Sequence, residues 1–257
     1  MVSTSVIGCG NMGSALVTGL AKAGGHTIIA CDLDPDALAA VEEFADETTD
    51  DISRAATADV VFVAVKPDIV EAVLDELDLS ADQTLVTIAA GVPTDFVEAR
   101  TDATVVRIMP NLAAETRDMA AAVTGDVTDE VRAMLDAVGE FVEVDESLMH
   151  VSTAVNGSGP AFAFYLIDAM TQGGIDSGLD PEQAVTLAAQ TCKGAAGTVL
   201  RDDRSVDELI DAVCSPNGTT IEGMEVLWDS DADAAVEDAV AAAERRSREL
   251  AEAFDDA

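Results

Sequence analysis

The stretch Val6-Ile7-Gly8-Cys9-Gly10-Asn11-Met12-Gly13-Ser14-Ala15-Leu16 decides the fold. Val6 and Ile7 end an apolar, strand-like run. Gly8, Gly10 and Gly13 then fall as G-x-G-x-x-G, and residues 11–23 carry a helical pattern. In that context each glycine has a task. The first permits a tight turn, the second lets backbone approach a pyrophosphate, and the third packs helix on strand. The helix N-terminus then faces the anion. Asp32 ends the next strand, "HTIIACD", 24 residues after Gly8. A carboxylate there can accept hydrogen bonds from ribose hydroxyls. Strand, turn, helix and acid together predict a dinucleotide-binding α/β domain.

Working outward, strands and helices alternate. "PDALAAVEEF" reads as a helix opened by Pro35. "ADVVFVAVKP" is a near-continuous apolar run, as a strand buried on both faces requires. "DIVEAVLDEL" is helical, "QTLVTIAAG" a strand, "FVEAR" a short helix and "TVVRIMPN" a strand. "DMAAAVTG" takes no clear type; helix "TDEVRAMLDAVG" and strand "FVEV" follow it. The alternation argues a Rossmann-like, doubly wound sheet over residues 1–149. Beyond that the strand signals stop. Five helical runs fill residues 150–257, the first two opened by Pro160 and Pro181. This predicts an all-α C-terminal domain, whose second helix, rich in Ala, Gly and Thr, suits close helix approach.

The formal charge is −37, with 29 acids and 7 bases in residues 1–149 and 21 acids and 6 bases in residues 150–257. The acidity is a property of the whole surface and not of a tail. Such self-repulsion opposes compaction at low salt and is screened at molar salt, where the Debye length is about 3 Å. With 49% hydrophobic residues the chain is folded rather than disordered, and a high-salt habitat is expected. No basic patch can be drawn, which argues against nucleic acid as a partner. No run of eighteen apolar residues suggests a membrane span, and the first residues lack the features of a secretory leader. A cytoplasmic protein is expected. Cys9, Cys31, Cys192 and Cys214 show no C-x-x-C spacing, and only His26 and His150 accompany them, so no metal site is expected.

Four further motifs carry polar groups. Lys66, in "AVKP", ends the third strand in this reading, at the edge where ligands of such sheets bind. Arg107, in "RIMPN", is either near the cofactor or a buried cation paired with a carboxylate. "NGSGPAFAF" (Asn156–Phe164) reads as a turn with exposed amides at a helix start, or as a capped helix with Ser158 near the cap and Pro160 in the first turn. "SPNGTT" (Ser215–Thr220) sets the hydroxyls of Ser215 and Thr219 beside the amides of Gly218, Thr219 and Thr220 at a helix N-terminus. That is a receptor for a carboxylate.

In order and spacing, GxGxMGxA, AVKP, RxMPN, (S/N)GSGPAxxF and SPxGTT resemble the pyrroline-5-carboxylate reductase family, from Val6 to the "RRSREL" of the last helix. The resemblance implies reduction of 1-pyrroline-5-carboxylate to L-proline by NADH or NADPH. It implies a C-terminal domain that interleaves with a second copy, as a homodimer or a ring of dimers. It places the substrate on Ser215, Gly218, Thr219 and Thr220, with Thr220 the candidate catalytic contact to the ring nitrogen. It places the cofactor on Gly8, Gly10, Asn11, Met12 and Gly13, on Ala64, Val65, Lys66 and Pro67, and on Ala89, Ala90 and Gly91. Two departures stand out. Asn217 replaces a common glycine, and Asn accepts left-handed backbone better than other side chains. Asp32-Leu33-Asp34-Pro35 replaces a common Asn-Arg-Ser-Pro, which removes an arginine suited to a 2′-phosphate and favours NADH. Two other readings remain. A hydroxy-acid dehydrogenase of the same plan wants a lysine on the first helix of the second domain, and residues 161–177 have none. A non-catalytic dinucleotide sensor would not need the loop hydroxyls.

Overall fold

The computed structural model describes residues 2–254. The elements run β1 (Val2–Ile7), α1 (Asn11–Ala23), β2 (His26–Cys31), α2 (Pro35–Val41), β3 (Glu47–Thr49), α3 (Ile52–Ala55), β4 (Val60–Val63), α4 (Pro67–Glu76), β5 (Thr84–Thr87), α5 (Thr94–Glu98), β6 (Thr104–Met109), β7 (Met119–Gly125), α6 (Asp129–Val138) and β8 (Gly139–Glu143). They continue as α7 (Met149–Ser152), α8 (Gly159–Asp176), α9 (Pro181–Val199), α10 (Val206–Val213), α11 (Thr219–Trp228) and α12 (Ala232–Ala251).

The sheet order is β3-β2-β1-β4-β5-β6-β7-β8. The first six strands are parallel, β7 runs antiparallel to β6, and β8 is parallel to β7. Successive side chains of a strand face opposite sides, and the core divides accordingly. Val6, Phe62, Val86 and Val106 pack with Leu16 and Leu20 of α1 and Met134 and Leu135 of α6. Ile7, Val63, Leu85 and Val105 pack with Val70 and Leu74 of α4 and Phe96 of α5. Helices thus cover both faces, as a doubly wound sheet requires.

Two strands depart from the expectation. β3 is three residues long, Glu-Thr-Thr, and its polarity suits a sheet edge. "DMAAAVTG", left without a type, is β7, held by pairing on both sides although alanine is a poor strand former.

Contacts divide the chain into two units, residues 1–158 with 241–257, and residues 159–240. The division differs from the single cut at 149 that the strand signals suggest, because the last turns of α12 group with the sheet unit. In the second unit only Ala184 and Ala188, both on α9, are buried. α8 and α9 approach closely where Gly174 faces Leu179 and Ala184. Capping boxes start α9 (Asp180 with Gln183) and α10 (Ser205 with Glu208), each satisfying two otherwise orphaned donors.

Candidate active site

The carboxyl ends of β1, β2, β3 and β4 enclose a crevice of about 900 Å³. Gly8 begins the loop at its floor. Its φ of +94° is left-handed backbone, and a Cβ there would stand 2.6 Å from the Ala64 carbonyl oxygen. A side chain at Gly13 would overlap the Gly8 carbonyl, so α1 lies directly on the loop. At Gly10, by contrast, nothing lies within 4 Å of an added Cβ. Gly10 is also the N-cap of α1, with no side chain capping it. The first-turn amides of Asn11, Met12 and Gly13 lack an intrahelical acceptor, a helix start that fits a pyrophosphate, although Gly13 itself is buried and Gly10 to Gly13 are not among the residues lining the crevice.

Asp32 is fixed at both oxygens. Its Oδ2 accepts from the Cys9 amide at 2.6 Å, and its Oδ1 accepts from the Asp34 amide at 2.9 Å. The carboxylate thus ties the glycine loop to the β2–α2 turn while facing the crevice. Gly8, Asp32, Leu33, Ala64, Val65 and Lys66 line it. Lys66 is exposed and N-caps α4, with Pro67 in that helix's first turn. Ala89–Gly91 follow β5 and do not line the crevice; Gly91 lies against the backbone of Leu250 and Ala251. The lining also includes Asp34, Asp50, Asp51, Ser53 and Glu76, which the sequence reading did not assign to the cofactor. Asp50 and Asp51 carry no local signal, because β3, the strand that delivers them, is only three polar residues long.

Cys9 and Cys31 are buried under the same loop. Burial first, then the nearby Asp32 carboxylate, pushes the Cys9 thiol up to about 12 and the Cys31 thiol to about 11. Both remain protonated at neutral pH and offer no nucleophile.

Arg107 does not reach the crevice. It is 1% exposed at the end of β6 and pairs with Glu146, so of its two readings the buried, paired cation is the one observed. Asn111 and Asn156 join the same region. Of the two readings of Asn156–Phe164, the helix start is the one observed: α8 begins at Gly159 with Pro160 in its first turn, after a π-helical turn at Thr153–Gly157 and a bend at Ser158. The Ser158 amide reaches back five residues to the Thr153 carbonyl at 3.0 Å. Pro160 has no N–H to offer the Asn156 carbonyl, and Asn111 Nδ2 donates to it instead at 3.2 Å. Asn156 Nδ2 in turn donates to the carbonyls of Met109 and Ala120.

In the second unit, "SPNGTT" forms a tight turn ahead of α11. Asn217 takes φ +59°, the left-handed geometry expected of it. The Gly218 amide donates to the Ser215 carbonyl at 2.9 Å, so it closes the turn and is not open to a ligand as expected. Gly218 is the N-cap of α11, and no side chain caps the helix. Thr219, Thr220 and Ile221 supply the open amides of its first turn. The hydroxyls of Ser215, Thr219 and Thr220 are exposed and make no hydrogen bond among the described residues. Thr220 is therefore not a helix cap, and a cluster of donors is left without internal partners.

A glycine-loop crevice on a parallel sheet, followed by a helical unit, defines an NAD(P)-dependent oxidoreductase. The family models agree: "NADP oxidoreductase coenzyme F420-dependent" matches residues 3–91, and "Pyrroline-5-carboxylate reductase dimerisation" matches residues 146–250. The chain belongs to the pyrroline-5-carboxylate reductase family. It is 38% identical to the pyrroline-5-carboxylate reductase of Methanosarcina acetivorans, over 95% of this chain and 96% of the relative. It is 39% identical to that of Pseudomonas aeruginosa, over 96% of each. The Coxiella burnetii pyrroline-5-carboxylate reductase structure superposes with a TM-score of 0.85 at 31% identity, over 97% of this chain and 98% of that one. The NADP-bound pyrroline carboxylate reductase of Plasmodium falciparum gives 0.85 at 25% identity, with the same coverage.

Proposed function

We propose that the protein reduces 1-pyrroline-5-carboxylate to L-proline. The observation that carries this reading is the "SPNGTT" loop, whose free hydroxyls and helix-start amides suit a small cyclic carboxylate, in a chain of this family. The amides of Thr219, Thr220 and Ile221 hold the substrate carboxylate, with the Ser215 and Thr219 hydroxyls beside it. The Thr220 hydroxyl meets the ring nitrogen. The reduced nicotinamide, when bound, supplies the hydride that adds to the C=N carbon, while the nitrogen keeps a proton. The chain's own contribution is to bind and orient, since a protonated imine needs little further activation.

For the cofactor, the Asn11, Met12 and Gly13 amides hold the pyrophosphate, and Asp32 takes the ribose hydroxyls. Ala64 to Pro67 and Ala89 to Gly91 serve the remainder, as the family resemblance implies. Lys66 is the one base among the residues lining the crevice. NADH is preferred, because Asp32 repels a 2′-phosphate and Leu33 offers it no cation. The helical unit joins a second copy in a homodimer, which larger rings can extend. The acidic surface suits a salt-rich cytoplasm.

The test is spectrophotometric: oxidation of NADH and of NADPH by 1-pyrroline-5-carboxylate in molar salt. Turnover is expected with both and a higher kcat/KM with NADH. Asp32→Asn with Leu33→Arg should shift preference toward NADPH. Saturating imine without cofactor oxidation, in folded protein, would overturn the assignment.

A further inference from the structure

β3 delivers a second pair of carboxylates to the crevice that the glycine loop opens. Cys31 of β2 stands opposite Thr49 of β3, and the Asp32 amide extends the ladder to the Thr49 carbonyl at 3.2 Å. The next residues along, Asp32 and Asp50, therefore leave neighbouring parallel strands side by side, about 4.8 Å apart at the backbone. Asp50 and Asp51 line the same crevice as Gly8 and Asp32. The four differ in how they are held. Asp32 and Asp34 are tied down by backbone amides, and Asp51 accepts from the Ser53 amide at 2.9 Å as the N-cap of α3. Asp50 is exposed, and its carboxylate makes no hydrogen bond among the described residues. On this side of the crevice no lysine or arginine stands among the lining residues, since Lys66 sits on the β4 side.

We propose that Asp50 and Asp51, at the end of β3, form a second and salt-sensitive determinant of cofactor choice that disfavours a 2′-phosphorylated dinucleotide through space. The inference rests on the crevice being the dinucleotide site. Asp32 discriminates by direct contact with the ribose, which salt screens little. Asp50 and Asp51 act across solvent on a group carrying nearly two negative charges. That repulsion depends on a Debye length of about 10 Å at 0.1 M salt, shrinking to about 3 Å at 1 M. Cofactor discrimination by this chain is therefore strongest at the lowest salt it tolerates and narrows as salt rises. Exchange at Asp32 and Leu33 alone leaves the second barrier in place.

The experiment is isothermal titration of NAD⁺ and NADP⁺ into wild type and the Asp50→Asn/Asp51→Asn variant. It is run at the lowest salt that retains the folded circular-dichroism signal and again at molar salt. Asn caps a helix as well as Asp does, so α3 keeps its start. Unfolding midpoints verify this, and single Asp50→Asn, which removes no hydrogen bond, serves if the double variant does not fold. At the lower salt the double variant should bind NADP⁺ roughly ten-fold more tightly relative to NAD⁺ than wild type does, a through-space effect of that order. The gain should shrink to two-fold or less at molar salt. Affinities for the two cofactors that stay in the wild-type ratio at both salts overturn the proposal, as does a gain that salt leaves unchanged. Wild type that already binds NADP⁺ more tightly overturns the NADH preference instead, while the change on substitution still decides the role of Asp50 and Asp51. Absence of any binding to wild type overturns both.

Discussion

The two units of this chain finish their cores differently. In the sheet unit, Val6, Leu16, Phe62, Val86, Ile108 and Leu135 are all within 1% of full burial, enclosed by residues of the same unit. In the helical unit, Phe164, Tyr165, Leu187, Leu200, Val213 and Trp228 are each more than half exposed, and only two alanines are buried. Acidic residues are spread at similar density through both units, so charge does not explain the contrast. Each large apolar side chain left in water forgoes about 1.5–3 kcal/mol. A helical unit with so many of them suits an oligomer, and in the proposed homodimer a second copy covers them by symmetry. On the proposed reading, the sheet unit binds the cofactor with a core of its own, while the helices that carry "SPNGTT" need a second copy to complete theirs.

The largest effect should come from the exposed apolar face. Phe164→Glu combined with Leu187→Glu should abolish dimers and turnover together, and lower helical content, while NADH binding to the sheet unit survives. Light scattering, activity and nucleotide fluorescence on one sample check this; dimers that persist would break the comparison.

Within the sheet unit, the glycine loop offers a paired test. Gly13→Ala places a methyl group into the Gly8 carbonyl and should cost about 3 kcal/mol or more, read as a fallen unfolding midpoint. Gly10→Ala meets open space. It should leave the midpoint nearly unchanged and weaken dinucleotide affinity, because the methyl group occupies the pyrophosphate's approach. Equal midpoints for the two variants would contradict the assigned packing.

In the helical unit, Thr220→Ala should lower kcat by roughly ten- to a hundred-fold, matching about 1.5–3 kcal/mol for a hydrogen bond to a charged group. Cofactor affinity should hold, and Thr220→Ser should restore much of the loss. Because Thr220 caps nothing, the unfolding midpoint should barely move. A lowered midpoint with normal kcat would return the residue to a structural role.

The smallest signal is the thiols. Cys9 and Cys31 should resist a thiol reagent in molar salt and react once salt is dialysed away and the sheet unit opens. Their folded pKa values, about 12 and 11, lie above the ordinary 9.0. Stability they confer is thus complete below pH 9 and is lost as pH climbs through 11 and 12. Unchanged protection at millimolar salt would show that the acidity does not govern folding.

Periodicity and punctuation made most of this fold legible. β1, α1 and the glycine spacing are read from Val6 to Ala23 without ambiguity, because strand, turn and helix signals agree. β3 and β7 were not legible, since Glu47–Thr49 is three polar residues and Met119–Gly125 is mostly alanine; pairing, not composition, makes them strands. The Gly-Ser-Gly-Pro segment suits a turn or a helix start by local chemistry, and Asn111, 45 residues upstream of Asn156, supplies to the Asn156 carbonyl the donor that Pro160 lacks. The tight turn of "SPNGTT" ahead of a helix was legible because Pro, Asn and Gly punctuate it and Asn217 tolerates left-handed backbone. The carboxylates of Asp50 and Asp51 were not, because their position depends on a strand that local sequence does not announce.

The measurement that bears most directly on the contrast between the units is the mass and specific activity of the wild-type enzyme across serial dilution in molar salt, by light scattering coupled to the imine assay. The account predicts at least two chains wherever turnover is seen, with activity per chain falling as dimers dissociate while NADH binding persists. A monomer that reduces the imine at full rate would contradict it.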